Sequence, residues 1–186
     1  MLRSNTKNFS ENSLFFLENC QIRKPKLRGA AHAAPCRGRN LAILATLVDI
    51  SSNKLTSLPE SVCDTLRLKI INISDNKLEN LPENFGNQQL LDEINCSNNE
   101  ITELPKDLRK KFSTIKKFNF SKNYIKFVDK SLHHLQQLEE LDLNSNQISR
   151  VQLPASRHLK CLRLGGNSGL ETEKLIQRLP SSTARF

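Results

Sequence analysis

The sequence predicts a repeat protein in which successive turns of chain, called coils here, stack into one elongated solenoid. Asparagine recurs with spacings of 23, 23, 24, 23 and 21 residues, at Asn53, Asn76, Asn99, Asn123, Asn146 and Asn167. A pair of apolar residues two positions apart precedes each of these asparagines, as Ile71 and Ile73 precede Asn76. Self-similarity at a fixed period of roughly 20 to 50 residues is typical of solenoids and related repeat architectures.

The apolar pairs indicate one short strand in each coil. Their members are Val48 and Ile50, Ile71 and Ile73, Ile94 and Cys96, Phe118 and Phe120, Leu141 and Leu143, and Leu162 and Leu164. Side chains two apart lie on the same face of a strand. A single strand cannot bury that face alone, so we expect neighbouring coils to form one continuous core.

The recurring asparagines have a structural explanation. An asparagine inside a tight turn can hydrogen-bond with backbone groups of adjacent coils that burial would otherwise leave unpaired. We therefore predict that all six are structural residues.

Residues 68–82 fit the template L-x-x-L-x-L-x-x-N-x-L-x-x-L-P, with Asn76 at its fixed asparagine. Its apolar positions are taken by Leu68, Ile71, Ile73, Leu78 and Leu81. On these residues, the segment from 45 to about 170 resembles the short intracellular type of leucine-rich repeat protein, close to Ras-group and scaffold-type members. The resemblance implies an α/β fold, a curved leucine-rich repeat solenoid with a parallel sheet on its concave side. It implies mostly turns or short 3₁₀ segments on the convex side.

Three regions are expected along the chain. Residues 1–40 form a poorly ordered N-terminal region, with a possible degenerate capping repeat at 12–25 and a basic insertion at 28–39 that could instead be a recognition arm. Residues 41–170 form the repeat domain, with about six repeats. Residues 171–186 form a capping helix, from Glu173 to Leu179, and a tail.

The convex side is expected to change along the domain. The first three coils end in Leu-Pro, whereas the next two have Val128-Asp129 and Val151-Gln152. Convex apolar residues should complete the core: Val62, Phe85, Leu108, Leu132 and Leu135.

Cysteine usage favours a reducing compartment. The five cysteines are scattered, no C-x-x-C pair is present, and no apolar signal segment follows Met1. The longest apolar run, 41–48, is too short to span a bilayer. We expect a soluble monomer of the cytoplasm, or of the nucleus, without a transmembrane segment.

Charge divides the chain into regions of opposite sign. Residues 41–105 carry four basic and ten acidic side chains, whereas 106–130 carry nine basic and two acidic ones, within a total of +9. Side chains beside the core pairs should project from the concave face, where they are free to bind another protein. The candidate binding residues are Asp49, Asn72, Asp75, Glu93, Asn95, Lys117, Asn119, Lys122, Glu140, Asp142 and Arg163. Charges that alternate along the arc can fix the register of a partner.

We find no signature of catalysis, of a cofactor site or of a metal site. His133 and His134 lie together on the predicted convex side without further ligands, which favours a solvated pair. The sequence therefore predicts a non-enzymatic intracellular adaptor or scaffold that binds a protein through its concave face.

The alternative is a nucleic-acid or anionic-surface binder that uses the basic arm and the fourth repeat. Aromatic residues interleave with lysines between Lys106 and Lys130, as in a base-stacking surface. Phe118 and Phe120 occupy predicted core positions, which argues against stacking by these two rings. Steep weakening of binding by salt would identify the polyanion binder.

Overall fold

The computed structural model describes residues 26–28, 46–58, 68–82, 85, 90–105, 114–153 and 156–170. Its strands are β1 (Lys26–Arg28), β2 (Leu47–Asp49), β3 (Ile70–Asn72), β4 (Glu93–Asn95), β5 (Lys117–Asn119), β6 (Phe127–Val128), β7 (Glu140–Asp142), β8 (Arg150–Val151) and β9 (Cys161–Arg163). One 3₁₀ helix, η1, spans Lys130–His134. The predicted coil at 12–25, residues 29–39 of the predicted insertion and the predicted C-terminal helix lie outside the described residues.

The main sheet has seven strands in the order β1-β2-β3-β4-β5-β7-β9. All pairs from β2 to β9 are parallel and in register, so that Ile71, Ile94, Phe118 and Leu141 lie side by side. This arrangement confirms the predicted curved solenoid with a parallel concave sheet.

The first strand of the sheet was not predicted. β1 pairs antiparallel with β2, and Leu27 lies opposite Val48. Arg28, which the sequence analysis assigned to the insertion, lies opposite Leu47 and belongs to this strand. Backbone pairing at a sheet edge depends little on the apolar period, which explains why the repeat pattern gave no sign of β1.

The core lies between the sheet and the convex side. The central residue of each parallel strand of the main sheet is buried, and so is the second member of each apolar pair. The rings of Phe118 and Phe120 stack within it, with centroids 4.3 Å apart. Both predictions, of strand register and of continuous core, are confirmed over the described coils.

The convex side changes at the fourth coil, as predicted from the loss of the Leu-Pro pair that ends the first three coils. Where Val128 and Val151 replace the leucine of Leu-Pro, β6 and β8 pair in parallel, and the amide of Gln152 donates to the carbonyl of Val128. Proline lacks the amide that a continuing strand needs. Leu132, Leu135 and Phe85 are buried as expected, while Val62 and Leu108 lie outside the described residues.

Five buried asparagines tie each coil to the one before it. The Nδ2 of Asn99 donates to the carbonyls of Ile73 in the preceding coil and Cys96 in its own, at 3.0 and 3.1 Å. Its Oδ1 accepts from the amide of Leu78, again in the preceding coil, at 3.0 Å. Equivalent bonds are made by Asn76, Asn123, Asn146 and Asn167. Asn53 donates to Ile50 and Ser51 within its own coil.

The residue immediately before each asparagine adopts a left-handed backbone conformation. Its φ is between 54 and 56° at five positions and 71° at the sixth: Ser52, Asp75, Asn98, Lys122, Ser145 and Gly166. Only glycine adopts this conformation without a steric penalty, and asparagine and aspartate tolerate it best among the others. Asp75, Asn98 and Gly166 suit this conformation, whereas at Ser52, Lys122 and Ser145 it is imposed by the stacking of the coils and not by local residue preference.

Candidate protein-binding face

Two rows of side chains cover the concave face, because the residues on either side of each buried central residue point outward. The first row comprises Leu47, Ile70, Glu93, Lys117, Glu140 and Cys161. The second row comprises Asp49, Asn72, Asn95, Asn119, Asp142 and Arg163. Between β3 and β9 these rows line a depression of ≈ 300 Å³.

The structure brings nine of the eleven predicted binding residues together in these rows. The other two, Asp75 and Lys122, are exposed in the left-handed turns beyond the ends of β3 and β5. Asp75 accepts a hydrogen bond from the Nδ2 of Asn98 at 2.7 Å. These two side chains border the face and do not lie on it.

An ion pair joins two predicted binding residues of the first row. The Nζ of Lys117 lies 2.9 Å from the Oε1 of Glu93, with both side chains partly exposed. The hydrogen bond and the charge of Glu93 raise the pKa of Lys117, and the nearby Glu140 and Glu139 act in the same direction. The positive charge of Lys117 is therefore already paired within the protein, which its position in the sequence did not reveal.

A second line of alternating charge lies just before the strands. Lys116 pairs with Asp92 at 3.5 Å, and Lys160 pairs with Glu139 at 2.6 Å. The hydrogen bond and charge of Lys160 lower the pKa of Glu139. The charges that were predicted to alternate in sign therefore largely pair with one another across neighbouring coils.

The second row also has a structural role that the sequence analysis missed. The Oδ1 of each residue from Asp49 to Asp142 accepts a hydrogen bond from the amide two positions ahead. Such Asx turns stabilise the chain as it leaves a strand. The recurring pattern Asx-x-Ser, seen in Asn72-Ile73-Ser74, was the available signal.

The depression retains hydrogen-bond donors. Among the described residues, the Nδ2 of Asn95 and of Asn119 have no acceptor, whereas Asn72 donates to Asp49 at 3.3 Å. These two amides lie side by side on β4 and β5. They can donate to the oxygen atoms of a bound molecule.

The first row begins with apolar residues. Leu47 and Ile70 are half-buried and lie side by side on β2 and β3. They were missed because only charged residues of this row were considered. The first row is consequently apolar on β2 and β3 and charged on β4, β5 and β7.

The aromatic side chains of the basic region differ in their exposure. Phe118 and Phe120 are buried as predicted, but Tyr124 is 49% exposed and Phe127 is 66% exposed. Lys126 and Arg150 are exposed beside Phe127. Lys106, Arg109, Lys110 and Lys111 lie outside the described residues.

The described residues contain no group of histidine, cysteine or acidic side chains suited to a metal ion. His133 and His134 are exposed at the end of η1. The thiols of Cys96 and Cys161 are free, and burial raises the pKa of Cys96. None of the helical segments in the described part has the length and apolar character of a membrane span.

Comparisons with known families agree with this geometry. Residues 89–148 match a family described as leucine rich repeat, and residues 67–88 match a second family with the same description. A comparison with curated proteins gives no significant match.

Solved structures show the same fold. The chain is similar to an LRR protein of Leptospira interrogans, with 31% identity and a TM-score of 0.58 over 62% of this chain and 30% of that one. It is also similar to a chain of the Toll–Spätzle complex of Drosophila, with 23% identity and a TM-score of 0.57 over 61% of this chain and 16% of that one. It spans less than a third of either protein's length. The matched repeats, the asparagine bridges and the parallel sheet together show that the chain is a leucine-rich repeat protein, a family whose repeats generally form protein-interaction modules.

Proposed function

We propose that the chain is a non-enzymatic intracellular adaptor or scaffold that binds another protein through its concave face. One observation carries the proposal: two unbroken rows of outward-facing side chains lie on consecutive strands in register. Charged and hydrogen-bonding groups arranged in this way can select a partner and fix its register. The matched family models indicate no catalytic activity.

The rigidity of the face supports this proposal. Ion pairs and Asx turns hold many of its side chains before any partner arrives. Binding to ordered side chains loses less conformational entropy than binding to mobile ones. The two free thiols of the described part are consistent with a reducing, intracellular compartment.

A charge exchange tests the proposal without breaking the ion pair. In Glu93→Lys with Lys117→Glu, the two charges trade places, so that the pair and the net charge are both retained. A partner captured from cytosol should then lose most of its affinity, because its own charges face the reversed potential. The readout is the dissociation constant of that partner, with folding checked by circular dichroism.

The matched control exchanges Lys77 and Glu79, which are exposed away from both rows. Lys77→Glu with Glu79→Lys should leave the dissociation constant unchanged. If the control abolishes binding while the concave exchange has no effect, the concave-face proposal is wrong.

The exposed aromatic residues favour a second candidate, a nucleic-acid or anionic-surface binder. Tyr124 and Phe127 are available for stacking, and Lys126 and Arg150 supply positive charge near them. This function predicts binding to single-stranded oligonucleotides that weakens steeply with salt and is lost in Phe127→Ala with Lys126→Ala. Absence of oligonucleotide binding at low salt would eliminate it.

A further inference from the structure

The depression on the concave face contains one carboxylate without an ionic partner. Of its charged residues, Glu93 pairs with Lys117 at 2.9 Å and Asp142 pairs with Arg163 at 3.5 Å. Glu140 also lines the depression, but it makes no ion pair with any described residue. After the internal pairs are formed, the depression keeps the negative charge of Glu140.

The side-chain amides of Asn95 and Asn119 favour a ligand that also carries hydrogen-bond acceptors. The Oδ1 atoms of Asn95 and Asn119 already accept hydrogen bonds from Ser97 and Ser121, so their Nδ2 groups present donors to the depression. A matching molecule therefore carries a cation for Glu140 and oxygen acceptors for the two amides. A peptide with a lysine or arginine side chain and backbone carbonyls has both, whereas a polyanion would be repelled by the unpaired charge of Glu140.

The spacing of the first row specifies the form of that peptide. Glu93 and Glu140 lie on β4 and β7, with β5 between them. Two strand steps of about 4.8 Å separate their backbones by about 9.6 Å. One turn of polyproline II helix contains three residues and advances about 9.3 Å, so side chains three residues apart project from the same side at nearly this distance.

We propose that the concave face binds an extended, polyproline II-like peptide segment with basic residues at positions i and i+3, lying across β4, β5 and β7. One basic side chain contacts Glu140, and the other shares Glu93 with Lys117. The Nδ2 groups of Asn95 and Asn119 donate to carbonyls between them. This inference rests on the proposed concave-face function and adds the chemistry of the partner.

The test uses the full chain and three fluorescein-labelled peptides of four repeats each: Arg-Pro-Pro, citrulline-Pro-Pro and Glu-Pro-Pro. Citrulline keeps the shape of arginine without its charge. Fluorescence anisotropy should show binding of the arginine peptide, at least about tenfold weaker binding of the citrulline peptide, and none of the glutamate peptide.

Two protein variants locate the contact. Glu140→Gln should weaken binding of the arginine peptide about 3- to 10-fold, because it removes the unpaired carboxylate and leaves both ion pairs in place. Glu100→Gln removes an exposed carboxylate outside the two rows and should leave affinity unchanged. Circular dichroism establishes that both variants are folded.

Failure of this inference is distinguishable from failure of the proposed function. Equal binding of the arginine and citrulline peptides, equal effects of the two variants, or no binding of the arginine peptide overturns the peptide assignment. The adaptor function stands in that case if the exchange of Glu93 and Lys117 still abolishes binding of the captured protein.

Discussion

At the scale of single residues, the carboxamide of Asn99 is one polar group that serves two coils. It satisfies the amide of Leu78 and the carbonyls of Ile73 and Cys96, all in a part of the molecule that water does not reach. An unpaired buried donor or acceptor costs about 1 to 3 kcal/mol. The side chain therefore stabilises the fold by preventing several such penalties at once.

Asn99→Ala should lower the free energy of unfolding by about 2 to 4 kcal/mol, since it leaves more than one buried group unpaired. Urea denaturation measures the change. Asn80→Ala is the control, because Asn80 is exposed and should shift the free energy by less than about 0.5 kcal/mol. Equal effects of the two substitutions would mean that the bridging bonds contribute nothing to stability.

Gly166→Ala should destabilise the protein by about 1 to 2 kcal/mol. Gly166 has a φ of 71°, and a Cβ there would lie 3.1 Å from the Oγ and 3.2 Å from the Cα of Ser145. Gly169→Ala is the matched control, since its added Cβ would lie no closer than 3.4 Å to the nearest atom. Thermal unfolding of both variants checks the prediction, and a Gly166→Ala midpoint as high as that of Gly169→Ala would contradict it.

These residues show what the sequence could and could not predict. The asparagine bridges were predictable, because a polar residue that recurs among buried strands needs backbone partners. The left-handed turns were not, because Ser52, Lys122 and Ser145 have little intrinsic preference for positive φ. Stacking, which no single residue reveals, stabilises those turns.

At the scale of elements, contacts between neighbouring coils set the electrostatics of the concave face. The pKa of Glu139 is lowered mainly by Lys160, which lies one coil further along the chain. A depressed carboxyl pKa favours the folded state above the pKa of the unfolded chain, and the contribution is lost as pH falls through the lowered value. Because the side chain of Lys160 is exposed and that of Glu139 is partly exposed, we expect only a small effect on stability.

Lys160→Met should raise the pKa of Glu139 toward its ordinary value. The measurement is an NMR titration of the side-chain carboxyl carbon in the wild type and the variant. Lys54→Met, at an exposed position in the first described coil, should leave the titration unchanged. An unaltered midpoint in Lys160→Met would show that the 2.6 Å ion pair is absent in solution.

Some strands could be predicted from the sequence, and one could not. Main-sheet strands β2 to β9 follow from the apolar pairs, and the changed convex side follows from the loss of Leu-Pro at the fourth and fifth coils. β1 does not follow, because three residues paired through their backbone leave no periodic signal. The ion pair of Glu93 with Lys117 escaped prediction for a related reason, since the residues are adjacent in space and far apart along the chain.

At the scale of the whole molecule, an open stack of coils has two ends that need protection. β1 covers the edge of β2 by antiparallel pairing. Unpaired strand edges favour association with other chains. The short stretch from Lys26 to Arg28 thus protects one end of the sheet.

Two deletions separate this strand from the residues that follow it. Removal of 29–39 keeps β1 and should leave the unfolding midpoint nearly unchanged. Removal of 26–39 also takes away β1 and should lower the free energy of unfolding by about 1 to 3 kcal/mol through loss of backbone hydrogen bonds. Urea denaturation and light scattering measure stability and association, and equal behaviour of both deletions would show that β1 is unnecessary.

The direction of the asparagine bridges has a consequence for how such a protein can change its length. Each amide connects only to its own coil and the preceding one, so one segment of 23 or 24 residues carries everything needed to join a copy of itself. Duplication or loss of one such segment by recombination would recreate the same junction instead of a new one. A gene of this kind can lengthen or shorten its product by whole coils and thereby extend the binding face while keeping its chemistry.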